Sequence, residues 1–252
     1  MSDGYIRPCG AMGRAVMRAK EKLESQGHIL VHLDKVDNTK LFKLLGEIFG
    51  CDQAKTMARS LKLDETKPAT VKRIIQFSEM SPLLVKLVNW TLRKEPRVGL
   101  EAEKSGEQLM DINIRLEEEI SKFYSLLQEA EVDAILCPLH AFPATSPAYF
   151  PYGIPTNYLG VFNMCGFVSG TVPFGFVSEE DAKEEYKGDG IEDAVTKGIR
   201  KTMAGSAGLP VAVQLASFPG RDELIVALMK QLEEKKEMKV KDSVAHEIRP
   251  KI

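Results

Sequence analysis

Between Asp133 and Glu179 the chain runs for 45 residues, Ala134 to Ser178, without one Asp, Glu, Lys or Arg, although 28% of the whole sequence is charged. A surface loop of that length would carry charge, so most of the stretch is expected to be interior. It is not a membrane span. Six prolines (Pro138, Pro143, Pro147, Pro151, Pro155, Pro173) interrupt it, and no apolar run of roughly 18 residues survives between them. The pattern predicts short buried strands joined by Pro/Gly turns, as in the middle of a large enzyme core. Such a segment either packs a core alone or also lines a ligand channel, since binding sites are mostly apolar concavities.

With 252 residues there is one large domain or two small ones. A chain of this length can bury about 70–75% of its unfolded surface, so its stability needs no disulfide or metal. The net charge of −2 argues against a nucleic-acid partner, which would demand a basic balance. Cys9, Cys51, Cys137 and Cys165 form no CxxC pair, so reduced thiols in a cytosolic compartment are expected. The N-terminus carries no apolar core of a secretory signal. No cofactor and no metal site is expected.

Before the uncharged stretch the signals are mostly helical. Met12, Ala15, Val16, Ala19 and Leu23 recur at helical spacing, and Gly27 stands where a helix would stop. His28–Leu33 reads as a short strand, which would make half of a βαβ unit and favours an α/β fold. Asn38 or Thr39 can cap a second helix with Leu41, Leu44, Leu45, Ile48 and Phe49 as its apolar face; after Gly50 a more polar helix continues toward Leu61. Pro68–Lys94 is amphipathic, poor in acid and holds the only Trp of the chain. Pro82 divides it into two helices. Such a pair can lie in a membrane interface or pack on the protein body with its bases outward. Ser105–Glu131 is the clearest helix, with Leu109, Ile112, Leu116, Ile120, Phe123 and Leu127 as its stripe, and Val132–Cys137 follows as a strand ended by Pro138.

After the stretch come an acidic loop (Glu179–Glu185), a short helix with Ile191, Ala194, Val195 and Ile199, and a strand at Gly208–Ser217. Pro219 and Gly220 turn the chain into a last helix, with core face Leu224, Ile225, Leu228, Met229 and Leu232. Lys239–Ile252 is a polar tail expected to be disordered.

Three stretches carry a resemblance. Val132-Asp-Ala-Ile-Leu-Cys-Pro138, Asn163-Met-Cys-Gly166 with Thr171-Val-Pro-Phe-Gly175, and Gly208-Leu-Pro-Val-Ala-Val-Gln214 occur in this order. Together they resemble the amidase signature family, and within it the fatty-acid amide hydrolase branch. Asp3-Gly4-Tyr5, Pro8 and Ala11–Val16 resemble a strand leading into a helix of the same enzymes. The resemblance covers most of residues 3–237. Val168 stands where the family usually has proline, and Gly220 where the branch can carry a large aromatic.

The resemblance implies an α/β fold, the C-terminal portion of the amidase signature fold: a mixed twisted sheet flanked by helices, with a helical cap. Residues 1–237 would form a partial amidase domain, 68–94 its membrane-facing cap helices and 238–252 the tail. The family's chemistry uses a lysine as base on a bridging serine, which activates a nucleophilic serine, while backbone N–H groups hold the oxyanion. Those residues lie in a Gly/Ser-rich region that matches nothing here, so no catalytic residue is carried over, and the chain resembles the C-terminal half of a longer enzyme. Phe77, Leu84, Phe162 and Phe176 would line the acyl channel; Ile74, Ile75, Leu83, Leu87 and Trp90 would meet a membrane.

The implied function is part of a hydrolase of fatty-acid or related lipid amides, inactive alone. The alternative is a non-catalytic, membrane-associated protein retaining an acyl-chain pocket. Expected partners are a lipid ligand, a membrane surface and a second copy of the chain. The expected place is the cytoplasm or the cytoplasmic side of intracellular membranes.

Other residues carry reactive side chains. Cys137 and His140 lie three apart at a strand end, as a Cys–His pair or as a buried thiol and a capping imidazole. His28 and His32 would share a strand face, half a metal set or a surface. Ser169 and Ser206 read as turn residues. A sheet cut from a larger one would expose edges and apolar faces, so poor solubility or self-association is expected.

Overall fold

The computed structural model describes residues 3–33, 36–60, 69–93, 101–150 and 155–233. Its centre is a three-stranded antiparallel sheet of β1 (Ile135–Pro138), β2 (Val168–Phe176) and β3 (Pro210–Ser217), in the order β1-β3-β2. β3 lies in the middle because its run of Val, Ala and Leu can be covered on both sides. Val211, Val213 and Leu215 enter one core, and Ala216 enters another across the sheet.

Two helices cover the first face. In α1 (Gly10–Ser25) the residues Ala11, Met12, Ala15, Val16, Ala19 and Leu23 are buried, the stripe the sequence spacing predicts. Gly27 ends it at φ +94, with Gly27 N donating to Glu24 O and His28 N to Leu23 O, a paired closure that a residue with a Cβ would strain. α10 (Asp222–Leu232) packs beside it through Ile225, Leu228 and Leu232. Its approach to β2 requires Gly170, where a Cβ would stand 2.2 Å from Met229 Sδ and 3.0 Å from Ile225 Cγ2.

The second core joins three helices to one end of the other face. They are α2 (Thr39–Phe49), α6 (Gly106–Glu129) and α7 (Asn157–Met164). Ser105 starts α6 with a reciprocal cap: its hydroxyl accepts from Gln108 N, and its own N–H donates to Gln108 Oε1. Leu41, Phe123, Leu127, Val161, Phe162 and Phe167 meet there. Tyr124 closes the group edge-on to Phe167 (5.1 Å) while its hydroxyl donates to Cys165 O (2.7 Å).

The remaining helices are α3 (Lys55–Ser60), α4 (Ala69–Ser78), α5 (Pro82–Leu92), α8 (Glu179–Lys183) and α9 (Ala194–Met203). Pro82 does divide its region, and it does so as the first residue of α5, where its missing N–H costs nothing. Asp193 caps α9 from a fully buried position by accepting from Thr196 N (2.9 Å).

Four expectations need correction. His28–Leu33 is not a strand: Ile29 is 93% exposed, and no neighbouring strand among the described residues offers it a ladder. The anticipated half βαβ unit goes with it, since the three described strands pair antiparallel. The uncharged stretch contains the helix α7, whose residues Tyr158, Val161 and Phe162 are buried between two layers and so show no polar face to betray a helical period. Within the acidic segment, Glu179–Lys183 is a short helix, because Ser178 and Asp181 form a reciprocal cap and Arg14 of α1 pairs with Asp181. Leu61 and the tail 239–252 lie outside the described residues.

Candidate functional site

The C-terminal end of β1, the N-terminal segment and the start of α7 converge on one buried polar cluster. Asp3 is its hub. The Asp3 carboxylate accepts from Tyr5 N (3.1 Å), Ile6 N (3.2 Å) and Asn157 Nδ2 (2.7 Å). Burial raises its pKa above the ordinary carboxylate value, although the hydrogen bonds pull the other way. The Tyr158 hydroxyl donates to Ile6 O (2.8 Å) and the Tyr186 hydroxyl to Arg7 O (2.7 Å). Loss of water also raises the Tyr158 phenol.

Cys137 and His140 border this cluster but do not form a nucleophile. Burial, helped by the charge of Asp3, pushes the Cys137 thiol up to about 12. At neutral pH its thiolate fraction is then on the order of one in 10⁵. Burial lowers the His140 pKa, and its ring stands edge-on to Phe142 at 4.2 Å. The Nδ1 atom of His140 is buried without a partner. Cys137 is thus a half-buried thiol and not an activated nucleophile.

The other candidates resolve in the same direction. His28 Nε2 is bonded to Gln231 Oε1 of α10, and no group of three or more metal-ligating side chains occurs among the described residues. Ser206 is buried and donates to Met203 O (2.8 Å). Ser169 lies within β2, opposite Ala216, and is a strand residue where a turn was expected. Among the described residues no serine hydroxyl is bonded to a lysine ammonium, so no catalytic Lys–Ser pair is assembled in them.

The other prominent feature is the α4–α5 pair. Its attachment is narrow. Gln53, 2% exposed, sits in a turn between α2 and α3 and donates through Nε2 to Phe77 O and Met80 O, both at 2.7 Å. Phe77 O lies in the last turn of α4, where it also accepts from Met80 N, and Met80 O lies just past that helix. Gln53 holds φ +56 to make this reach. Val85 and Leu92 bury the inner side of α5. The outer side is apolar and bare: Leu83 is 79% exposed, Trp90 60%, with Leu84 and Leu87 beside them. Arg93 stands 5.1 Å over the Trp90 ring. No described helix is long and apolar enough to cross a membrane.

The four residues expected to line a channel fall in three places. Phe77 and Leu84 belong to the helical pair, half-buried and exposed respectively. Phe162 is buried in the aromatic group, stacked on Phe167 at 6.1 Å. Phe176 is 53% exposed at the end of β2 and borders a small cleft with Arg14 and Arg18 of α1. Of the residues expected at a membrane, Leu83, Leu87 and Trp90 face outward, whereas Ile74 and Ile75 are half-buried. Sequence reasoning missed Gln53 and Asn157, for no local pattern announces either.

Comparison with known proteins places these features. The family model described as Amidase matches residues 1–226. Fatty acid amide hydrolase 1 of Caenorhabditis elegans is 23% identical over 240 residues, and fatty-acid amide hydrolase 1 of Sus scrofa is 28% identical over 249 residues. Each alignment takes in 92% of this chain and 41% of the relative. A solved fatty acid amide hydrolase superimposes with a TM-score of 0.60 at 18% identity, over 92% of this chain and 39% of that one. A 6-aminohexanoate cyclic dimer hydrolase, solved with substrate, gives 0.50 at 15% identity, over 88% and 40%. These structures share the fold, and the chain spans about two fifths of the length of its relatives.

Proposed function

Because the chain belongs to the amidase family, we propose that it forms part of a hydrolase of fatty-acid amides or related lipid amides. The observation that carries this reading is the bare apolar face of Leu83, Leu84, Leu87 and Trp90, in a chain whose curated relatives are named for fatty acid amides. A soluble-substrate amidase has no use for such a face, while a lipid substrate must reach its enzyme from a membrane or micelle. Arg93 over Trp90, with Lys86 and Lys72 on the same helical pair, adds the basic and aromatic character that interfacial helices share. Of the four residues expected along an acyl chain, Phe77 and Leu84 lie on this helical pair and would meet it, while Phe162 and Phe176 lie elsewhere.

Cleaving an amide needs an activated nucleophile, a base and an oxyanion donor set. The region resembling the family's Lys–Ser–Ser machinery has no match in this sequence, and the described serines support no substitute. The chain alone is therefore inactive, and its share of the reaction is to present the lipid. A second reading, a lipid-binding protein without turnover, draws on the same exposed face.

The test uses the purified chain with a fluorogenic long-chain acyl amide and with anionic vesicles. We expect no turnover, together with vesicle binding that falls at least about tenfold in a Leu83→Glu/Leu87→Glu variant, since each leucine withdrawn from an apolar phase forfeits about 1.5–3 kcal/mol. Hydrolysis blocked by a fluorophosphonate would overturn the inactivity. Vesicle binding indifferent to the two substitutions would overturn the lipid-facing role of α5.

A further inference from the structure

We propose that Ser81 is a phosphorylation site for a proline-directed serine kinase, and that its phosphate releases α5 from lipid. The release rests on α5 facing lipid, as proposed above; the site itself does not. Ser81-Pro82 and Ser146-Pro147 are the two Ser-Pro pairs of the sequence, and it holds no Thr-Pro pair. A kinase that reads such a pair exploits the N–H that proline lacks, a property no other residue after the serine reproduces.

The structure separates the two pairs. Ser81 is exposed, and so are Pro82, Leu83 and Leu84 after it. Its backbone is extended, with φ −69 and ψ 152, the shape a substrate takes in a kinase cleft. Its hydroxyl accepts from Leu84 N at 3.3 Å, a long bond that is readily surrendered. Burial resumes only at Val85, so the first turn of α5 can open to an enzyme without disturbing the contacts beneath it. Ser146 is exposed too, but its neighbours are fastened. The Thr145 hydroxyl is bonded to that of Thr202 in α9, and the Phe150 ring is buried against Gly198. An enzyme engaging Ser146 must pull that ring out of the core.

In the transfer, Ser81 Oγ attacks the γ-phosphorus of ATP. The bond from that phosphorus to the bridging oxygen breaks, ADP leaves with the electron pair, and the hydroxyl proton passes to the kinase's catalytic carboxylate. The ester carries a charge of about −1.5 to −2 at neutral pH. It leaves α5 intact, because the first turn of that helix holds no acidic residue and a helix start favours negative charge. What changes is the outer surface. The phosphate stands two residues before Leu83, which is 79% exposed, and three before Leu84. Those side chains can enter an apolar phase only by drawing the phosphate toward it, and an anionic lipid surface repels the phosphate. At about fivefold per unit charge near such a surface, binding falls about 10- to 30-fold.

The experiment treats the purified full chain with ATP and a proline-directed kinase, maps the phosphate by mass spectrometry, and measures sedimentation with vesicles of phosphatidylserine and phosphatidylcholine. Phosphate on Ser81 ahead of Ser146 is expected, with binding about 10- to 30-fold weaker than that of the untreated chain. Ser81→Ala, treated in the same way, should bind as the untreated chain does. Ser81→Asp keeps an oxygen that can cap α5 and adds one charge, so it should lose about fivefold without any kinase. No phosphate on Ser81, or phosphate on Ser146 first, would overturn the site. Undiminished binding by the Ser81-phosphorylated chain would overturn the release and leave the lipid-facing reading of α5 standing. An untreated chain that ignores the vesicles would sink that reading, and the release with it, while the phosphate map still decides the site.

Discussion

Removing the amide of Gln53 should loosen the α4–α5 pair without unfolding the body of the protein. Its two hydrogen bonds, to Phe77 O and Met80 O, are neutral side-chain to main-chain bonds in a buried place. At about 1 kcal/mol each, Gln53→Ala costs about 2 kcal/mol of local stability, a roughly 30-fold rise in the open population. The backbone at Gln53 is left-handed, φ +56, which costs a non-glycine residue about 1–2 kcal/mol. Gln53→Gly forfeits the same bonds but is relieved of that strain, so its loss should be near 1 kcal/mol, about fivefold. Hydrogen exchange read by mass spectrometry on peptides from residues 82–92 measures both, with peptides from β3 as the internal reference. The order wild type, Gln53→Gly, Gln53→Ala in exchange rate is the expected outcome. Equal exchange in α5 for wild type and Gln53→Ala would refute the anchoring role. A glycine variant opening faster than the alanine variant would refute the strain argument.

Two further outcomes are expected. The folded protein holds the Asp3 proton more tightly than the unfolded chain does, because burial raises the folded pKa. Wild-type stability should therefore decline as pH rises from the unfolded value of about 3.9 through the raised one. Asp3→Asn cannot lose a proton, so its urea midpoint should gain on wild type between pH 3.5 and 7, and a pH-independent difference would count against the buried carboxylate. Gly198→Ala would place a Cβ 2.7 Å from Phe150 Cε1 and 2.8 Å from Tyr149 O. It should cost about 1–3 kcal/mol by urea denaturation, and a cost near zero would mean that α9 does not press on that segment.

Helices with one wet side were legible in the sequence, and those without were not. α1, α6 and α10 alternate buried and solvated residues at helical spacing, so their stripes match the cores they enter. α7 has no such contrast, since both its sides face protein. His28–Leu33 had the composition of a strand but no neighbour to pair with, and pairing is a property of the whole fold. The three motif stretches do end in β1, in β2 and in β3, which is why the family was readable from them. At the candidate site, the bare apolar face of α5 was foreseen because leucine and tryptophan announce themselves. The hydrogen bonds of Gln53 and Asp3 were not, because their partners lie 24 and 154 residues away.

That last distance governs the order in which the molecule can be made. The segment around Asp3–Arg7 leaves the ribosome well before Asn157, Tyr158 and Tyr186, which must exist before it can be fastened. At about 5–20 residues per second that segment waits on the order of 10–35 s for Tyr186. α1 waits longer still, for its Lys22 ammonium donates to Leu232 O at the end of α10. Throughout that interval the apolar stripe of α1 has no sheet to cover. Vectorial synthesis thus leaves α1 uncovered until Leu232 has been made, and the clamp that holds residues 3–7 closes only after Tyr186 has emerged.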